Sequence, residues 1–167
     1  MVVWLIGLSG SGKTTLAKKI VAGANKKLKN TVLVDGDIIR EVFGNDLGYS
    51  MDDRLLNAQR ICQIGKFLDE QGFNVVCAIL SLFPETRDWN RDNIKDYYEV
   101  FIDVPIDILV DRDSKGIYAK YIKAEISDVA GMDIHFPVPE RADLVIDNSK
   151  SKDDLLAYSD SIIEKIL

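Results

Sequence analysis

A chain of 167 residues has the length of one domain and can bury a substantial core. Its composition, 47% hydrophobic and 29% charged, is typical of a soluble globular domain. No apolar run approaches the roughly 20 residues of a membrane helix, and the net charge of −6 excludes a global basic field for nucleic acid. An anionic ligand must therefore be attracted by a local cluster of lysines and arginines.

The first predicted elements are a strand, a glycine-rich loop and a helix. The apolar run 2–6 predicts a buried strand, and residues 7–14 (GLSGSGKT) then match the P-loop pattern G-x-x-x-x-G-K-[ST]. A helical pattern begins at Thr14. Glycines let several N–H groups converge on a phosphate chain, and the helix dipole adds to the attraction. The motif predicts that Lys13 reaches the β- and γ-phosphates of a nucleotide and that Thr14 offers its hydroxyl to Mg²⁺.

Two aspartates, Asp35 and Asp37, follow the second predicted strand at residues 31–34. Because the carboxyl ends of parallel strands meet at one edge of a sheet, both carboxylates should lie beside the P-loop. One can hold Mg²⁺ and the other can accept the proton of an attacking hydroxyl, and which does which stays open. The structural alternative is that Asp37 caps a helix predicted at residues 38–43.

A row of polar residues follows the acidic pair. Arg40 lies one helical turn after Asp37, and Arg54, Asn57 and Arg60 recur at helical spacing on a helix that starts near Asp52. Guanidinium groups bind phosphate or sulfate oxygens in pairs, so the row predicts an oxyanion site. The alternative is a charged surface in contact with solvent.

Three further apolar runs, at residues 74–80, 98–104 and 144–146, predict the remaining strands. Amphipathic patterns predict helices between the strands, with Gly72 ending the helix that starts near Asp52 and a last helix over residues 152–167. The alternation predicts an α/β fold with a five-stranded, mostly parallel sheet and helices on both faces, as a single domain over residues 1–167.

Residues 112–141 resist this pattern, because they contain glycines, charges and the only histidine but no strong strand signal. Such a segment is often a lid that excludes water from phosphate chemistry, the alternative being a helical hairpin with a surface loop. Cys62 and Cys77 lie in apolar surroundings without metal-ligand spacing. We therefore predict that both cysteines are reduced and lie in the core of a cytoplasmic protein.

The chain resembles the adenylylsulfate (APS) kinases in five segments that occur in order. These are residues 7–15 (GLSGSGKTT), 35–40 (DGDIIR), 47–57 (LGYSMDDRLLN), 78–81 (AILS) with an Arg-Asp pair at 87–88, and 112–118 (RDSKGIY). The resemblance covers nearly the whole chain. It implies a P-loop kinase fold that uses ATP and Mg²⁺ and phosphorylates the ribose 3′-hydroxyl of a nucleotide, adenylylsulfate in this family.

The resemblance also implies residue roles. Catalysis falls to Lys13, Asp35 and Asp37, with Thr14 and Asp35 at the metal and Asp37 nearest the acceptor hydroxyl. Tyr49, where the family usually has phenylalanine, would stack on the acceptor base, with Phe136 of the lid facing it. The residues implied to bind ATP are Gly7, Ser9, Gly10, Ser11, Gly12, Lys13, Thr14, Thr15 and Arg112. Those implied to bind the acceptor are Asp37, Arg40, Tyr49, Arg54, Asn57, Leu80, Ser81, Lys115 and Phe136.

Two departures from the family concern the acceptor. Pro84 stands where the family has an arginine, although Arg87 lies close enough to replace that cation, and residues 129–133 read VAGMD in place of F-T-G-I-D. The acceptor is therefore adenylylsulfate or another nucleotide with a small anhydride-linked group, as in the cytidine diphosphoramidate kinases of capsule modification.

Alternatives of other classes stay open. Residues 113–116 match the D-x-x-G of regulatory P-loop NTPases, but no N-K-x-D motif follows. A nucleotide-binding module without catalysis would be expected to lose Lys13 or the two aspartates, which are present. The expected partner is a small nucleotide, with neither nucleic acid nor membrane, and a homodimer is one alternative for the oligomeric state.

Overall fold

A computed structural model describes residues 1–167. Five strands form one parallel sheet in the order β2-β3-β1-β4-β5. They are β1 (Val2–Ile6), β2 (Thr31–Asp35), β3 (Asn74–Ile79), β4 (Tyr97–Asp103) and β5 (Leu144–Asp147). All five predicted strands are confirmed to within one residue at each end, and the sheet is parallel throughout.

The central strand shows why the apolar runs were informative. Every residue of β1 is fully buried, because helices cover both faces of the sheet. Val2 of β1 is in register with Val75 of β3 on one side and with Tyr97 of β4 on the other. The P-loop that follows β1 therefore starts from the middle of the carboxyl edge of the sheet.

Eight helices form two layers around the sheet. They are α1 (Lys13–Ala24), α2 (Gly36–Val42), α3 (Met51–Glu70), α4 (Pro84–Asn93), α5 (Ile106–Arg112), α6 (Ile117–Ile122), α7 (Lys152–Ala157) and α8 (Ser159–Ile166). One core, which includes Ile20 and Ile162, packs α1, α7 and α8 on one face. The other, which includes Ile39 and Ile61, packs α2 and α3 on the opposite face. The predicted α/β fold with helices on both faces is confirmed.

The ends of two predicted helices were tested by the structure. Gly72 adopts a left-handed conformation, φ 83°, directly after the end of α3, as predicted. The single helix predicted over residues 152–167 is wrong in detail, because it divides at Tyr158 into α7 and α8. There the amide of Tyr158 bonds to the carbonyl of Leu155, three residues back, and the Ser159 hydroxyl bonds to the carbonyl of Leu156. These bonds tighten the chain into a turn between the two helices.

The segment predicted as a lid begins at the last residue of α5 and includes α6. Residues 123–143 contain no helix or strand, apart from a single bridge between Ala130 and Ile134. Cys62 and Cys77 are free and buried, and burial raises the pKa of Cys62 to about 12, so both behave as the predicted core residues. None of the helices has the length and apolarity needed to cross a membrane.

Candidate active site

The P-loop joins the carboxyl end of β1 to the first turn of α1. A side chain at Gly7 would place its Cβ 2.7 Å from the carbonyl oxygen of Ile102 on β4, so the close approach of two backbones requires glycine. Gly12 precedes α1 with φ 98°, in the left-handed region that favours glycine. The two glycines let the loop turn tightly over the edge of the sheet.

A cleft of about 810 Å³ opens beside this loop at the carboxyl edge of the sheet. Its walls come from the P-loop, the residues after β2, helix α3, the loop after β3 and the 112–141 segment. The structure brings most of the predicted site residues together there: Ser9, Gly10, Gly12, Lys13, Thr14, Thr15, Asp35, Asp37, Arg40, Tyr49, Arg54, Asn57, Leu80, Ser81 and Lys115. Gly7 and Ser11 are buried within the loop itself.

Lys13 provides the positive charge of the P-loop. Its Nζ donates a 2.7 Å hydrogen bond to the carbonyl oxygen of Leu8. Burial, aided by the nearby charge of Lys115, lowers the pKa of Lys13 to about 8, while Asp35 and Asp37 oppose the shift. The ammonium group is therefore mostly charged at neutral pH, and a bound phosphate chain would supply the counter-charge that it lacks.

Thr14 and Asp35 form a pair of oxygen ligands at the base of the cleft. Thr14 Oγ1 donates a 2.7 Å hydrogen bond to Asp35 Oδ2. Asp35 Oδ1 accepts the backbone N–H of Asp37 at 3.0 Å and so caps α2. The expectation that Asp37 could be this cap is wrong, because the helix begins at Gly36, earlier than predicted. Hydroxyl and carboxylate oxygens suit Mg²⁺, which completes its shell with water and substrate phosphates, so this pair fits the predicted metal site.

Asp37 extends into the cleft and contacts the 112–141 segment. Lys115 Nζ donates to Asp37 Oδ2 at 2.6 Å, and both side chains are more than half exposed, at 53% and 62%. The hydrogen bond raises the pKa of Lys115. The predicted proton acceptor is thus paired with a cation and open to an incoming molecule.

Arg40 and Tyr49 form one wall of the cleft, at the end predicted to bind the acceptor. Arg40 is buried, and its Nη1 donates to the carbonyl oxygens of Leu47 and Gly48 at 3.2 and 2.8 Å. Its guanidinium carbon lies 4.8 Å from the centroid of the Tyr49 ring, which supports a cation–π contact. Backbone carbonyls and an aromatic face thus fix the direction of the Arg40 charge.

Arg54 and Asn57 continue this wall along α3. Arg54 Nε donates to the carbonyl of Tyr49 at 2.8 Å, and its Nη2 donates to the carbonyl of Asp128 at 2.7 Å. Burial and the neighbouring charge of Arg40 lower the pKa of Arg54. Asn57 is buried, and its Oδ1 has no hydrogen-bond partner in the protein. The two close cations suit a bound anion, whereas the free Asn57 Oδ1 is an acceptor that suits an N–H or O–H donor of a ligand.

Arg60 does not take part in this wall. It makes a two-point salt bridge with Asp46, at 2.8 and 3.0 Å, and its guanidinium covers the ring of Phe43. Of the four polar residues predicted to form an oxyanion site, only Arg60 fits the alternative interpretation of a charged surface in contact with solvent.

The loop after β3 forms the floor of the cleft. Ser81, left-handed at φ 58°, is buried, and Pro84 occupies the first turn of α4. Arg87 is buried beneath this loop, where Nη1 donates to the Ser81 carbonyl at 2.9 Å and Nη2 to the Pro137 carbonyl at 3.5 Å. Arg87 is not among the residues that line the cleft. The prediction that Arg87 replaces the family arginine at residue 84 is therefore not supported, because its guanidinium is bound to carbonyl groups outside the cleft.

Phe136 lies outside the cleft. Its ring is partly buried and stacks on Phe101 of β4 with the centroids 6.0 Å apart, against the core that packs α2 and α3. Its predicted position opposite Tyr49 is therefore wrong: the apolar ring is used in packing, and Val129 and Ala130 line the cleft instead.

Arg112 lies in a second, smaller cleft of about 200 Å³ on the other side of the P-loop. Its Nη2 donates to the carbonyl oxygen of Lys150 at 2.9 Å. Gly10, Gly12 and Thr15 line both clefts, so Arg112 stays within reach of a nucleotide that occupies the P-loop.

Residues 127–130 also line the cleft, although no sequence motif indicated them. Asp133 holds this turn, since its carboxylate accepts the backbone N–H groups of Asp128 and Val129 at 2.9 and 2.6 Å. The one indication in the sequence was that residues 129–133 differ from the F-T-G-I-D motif of the family.

Comparisons with known proteins identify similar sequences and one similar fold. The sequence profile of the family described as adenylylsulphate kinase matches residues 1–147. Cytidine diphosphoramidate kinase of Campylobacter jejuni is 40% identical over 165 residues, which cover 99% of this chain and 95% of that protein. Adenylyl-sulfate kinase of Pseudomonas aeruginosa is 36% identical over 156 residues, which cover 92% of this chain and 80% of that protein.

A solved structure extends the likeness to the whole fold. The Mycobacterium tuberculosis APS kinase in complex with AMPPNP and APS has a TM-score of 0.90 and 32% identity, over 99% of this chain and 96% of that one. Shikimate kinase of Aquifex aeolicus, at a TM-score of 0.54 and 17% identity, shares the fold alone. With a P-loop, an acidic pair and an arginine wall around one cleft, the chain belongs to the adenylylsulphate kinase family and is an ATP-dependent nucleotide kinase.

Proposed function

We propose that this enzyme transfers the γ-phosphate of ATP to the ribose 3′-hydroxyl of a nucleotide whose 5′ end carries a small anhydride-linked group. The observation that carries the proposal is the arrangement of one cleft, with Lys13 on the P-loop side, Arg40 and Arg54 on the opposite wall, and Asp37 exposed between them. This arrangement supports a donor phosphate at one end of the cleft, an acceptor anion at the other end and a carboxylate between the two.

The residues of the chain divide the chemistry. Lys13 stabilises charge that develops on the transferred phosphoryl group, and Asp37 accepts the proton of the attacking hydroxyl. Thr14 and Asp35 would hold Mg²⁺, which neutralises phosphate charge when bound. Lys115 reaches the same carboxylate from the 112–141 segment, which we propose to act as a lid over the reacting groups.

Adenylylsulfate is the acceptor of several relatives by name, and we propose it as one candidate. A specific observation favours cytidine diphosphoramidate as the second. Pro84, at the start of α4, stands where the family has an arginine, and Arg87 is bound beneath the loop by Ser81 and Pro137. A terminal phosphoramidate has the same single negative charge as a terminal sulfate, but its NH₂ group replaces one acceptor oxygen, so it needs fewer donor groups from the protein. The relative from Campylobacter jejuni carries that name.

The decisive experiment offers the purified protein Mg-ATP with each acceptor in turn. We expect a new phosphate monoester at the ribose 3′ carbon, assigned by phosphorus NMR, and a higher kcat/KM for cytidine diphosphoramidate than for adenylylsulfate. A strong preference for adenylylsulfate selects the first candidate. Hydrolysis of ATP without transfer to any acceptor would contradict the proposed transfer and favour the regulatory class.

The two free, buried cysteines also support a place in the reducing cytoplasm.

A further inference from the structure

Two carbonyl groups of the P-loop are bound by side chains from distant parts of the chain. The hydroxyl of Tyr118, on α6, donates to the carbonyl oxygen of Ser9 at 2.9 Å. Nδ2 of Asn148, just after β5, donates to the carbonyl oxygen of Ser11 at 2.9 Å. Both donors are buried, with 1% and 5% of the residue exposed. Neither residue was assigned a role by sequence motif or by resemblance.

Each of these bonds also sets the direction of an N–H group. All peptide bonds in the chain are trans, so the C=O of one residue and the N–H of the next point to opposite sides of the backbone. With the Ser9 carbonyl turned to Tyr118, the N–H of Gly10 points the other way, and the Ser11 carbonyl fixes Gly12 in the same manner. Both glycines line the cleft, and neither N–H donates to a group of the protein.

The two donors are themselves held in place. Burial, with a contribution from Asp113, raises the pKa of Tyr118 to about 12, so its hydroxyl keeps its proton throughout the physiological range. The carboxylate of Asp113 accepts the backbone N–H of Tyr118 and of Ala119, which fixes the start of α6. The backbone N–H of Asn148 donates to the carbonyl of Asp103 at 2.9 Å.

We propose that Tyr118 and Asn148 are positioning residues for ATP, which hold two P-loop carbonyls outward so that the N–H groups of Gly10 and Gly12 face the phosphate chain before it binds. Donors fixed in advance lose less freedom on binding and need no reorientation at the moment of reaction. The proposal rests on the ATP-dependent kinase activity stated above.

The test compares Tyr118→Phe and Asn148→Leu with two matched controls. Tyr121→Phe removes a hydroxyl from the same helix, where Tyr121 packs against the same core without a hydrogen bond to the P-loop. Asn25→Leu removes an amide that donates to the Thr31 carbonyl at the far end of α1. Calorimetric titration with ATP, and separately with inorganic tripolyphosphate, measures the affinity of each variant, and steady-state kinetics give KM for ATP and for the acceptor.

We expect each positioning variant to bind ATP about 3- to 10-fold more weakly, the loss of roughly one hydrogen bond, and tripolyphosphate by a similar factor. KM for ATP should rise while KM for the acceptor stays within twofold of wild type. The double variant should bind ATP more weakly than either single variant, and its departure from the product of the two factors measures the coupling between the two bonds within one loop.

Affinities within twofold of the control variants would overturn the proposal, and so would a loss for ATP that tripolyphosphate does not share, since that would place the effect at the nucleoside. If Asn148→Leu does not fold, Tyr118→Phe decides alone, because it removes one oxygen atom and keeps the ring. A wild-type protein that binds neither ligand would contradict the kinase activity itself, which the same titration shows separately.

Discussion

Lys115 Nζ and Asp37 Oδ2 lie 2.6 Å apart and join the 112–141 segment to the side chain assigned as proton acceptor. An ion pair as exposed as this one contributes only about 0–1 kcal/mol to stability, so an incoming acceptor can displace it at little cost. We expect the Lys115 ammonium, once displaced from Asp37, to remain near the phosphate groups of the bound substrates.

Replacing Asp37 with asparagine should lower kcat much more than it weakens ATP binding. The amide keeps the shape of the side chain but cannot accept a proton, and the ATP side of the cleft is untouched. Steady-state kinetics with an ATP titration measure both effects. Asp35→Asn is the matched control, and it should shift the Mg²⁺ dependence. A normal kcat for Asp37→Asn, with only the metal dependence changed, would move the proton acceptor to Asp35.

Lys13→Ala should lower kcat about 10²–10³-fold, or ~3–4 kcal/mol, because it removes a fixed cation where charge develops. Its folding should survive, since the substitution also removes a charge whose burial lowers its own pKa. Kinetics under saturating ATP and a thermal melt test the two halves of this prediction. Turnover equal to wild type would show that the P-loop lysine has no part in the chemistry.

The pH dependence should carry the signature of the same lysine. With the pKa of Lys13 at about 8 in the free enzyme, kcat/KM for ATP should fall as the pH rises through 8, because the neutral amine no longer attracts phosphate. At saturating ATP, kcat should hold to higher pH, since bound phosphates favour the charged form. Lys13→Gln should lack the fall near pH 8, and a fall of the same size in that variant would assign it to another group.

The free energy of unfolding should rise with pH over the range in which kcat/KM for ATP falls. The pKa of Lys13 is about 8 in the folded chain and 10.5 is its ordinary value, so the unfolded chain binds more protons between these two values. The contribution of Lys13 to the free energy of unfolding therefore rises with pH across this window. Urea titrations of wild type and Lys13→Gln between pH 7 and 10 isolate this contribution as the difference between the two proteins.

Pro84→Arg should raise kcat/KM for adenylylsulfate. A charge-assisted hydrogen bond contributes about 1.5–3 kcal/mol, or roughly 10–150-fold, and Arg87 is already bound elsewhere. Glu85→Arg is the matched control, because it adds a cation at the next, exposed position of α4. An enzyme that already prefers adenylylsulfate, and gains nothing from an arginine at residue 84, would remove Pro84 as a determinant of the acceptor.

Substitutions at Tyr49 and Phe136 should have different effects, on acceptor binding at Tyr49 and on stability at Phe136. Tyr49 is 64% exposed, so Tyr49→Leu should raise KM for the acceptor about 10-fold through lost stacking and leave the melting temperature unchanged. Phe136→Leu should lower the melting temperature and leave KM for the acceptor unchanged, because its ring packs on Phe101. Melting curves and acceptor kinetics on both variants decide, and a KM effect confined to Phe136→Leu would contradict the position described for that ring.

The strands could be predicted well because their burial leaves a direct mark on composition. Val2 to Ile6 is apolar at every position, since helices cover both faces of β1. The P-loop was equally clear, because Gly7 and Gly12 are required by backbone geometry and Lys13 by phosphate. The strands and the P-loop could be predicted because each depends on residues that are close together in the sequence.

Contacts between distant segments could not be predicted in this way. Arg87 and Phe136 have the side chains expected of an acceptor site, yet one is bound to the carbonyls of Ser81 and Pro137 and the other to the ring of Phe101. Asp35 rather than Asp37 caps α2, because the boundary of a short helix lies within the error of periodicity. Which partner a polar or aromatic side chain takes is decided by tertiary packing.

The central position of β1 has a consequence for how the protein is made. The strand that ends in the P-loop precedes its partners in the sheet, β3 and β4, and the second of them ends only at Asp103. Pairings between segments so far apart in the chain form slowly, because a long loop must close before any contact compensates for its entropy. We therefore expect the nucleotide site to form late in folding, although its motif is synthesised before β3 and β4, and acquisition of ATP binding would report that the sheet is complete.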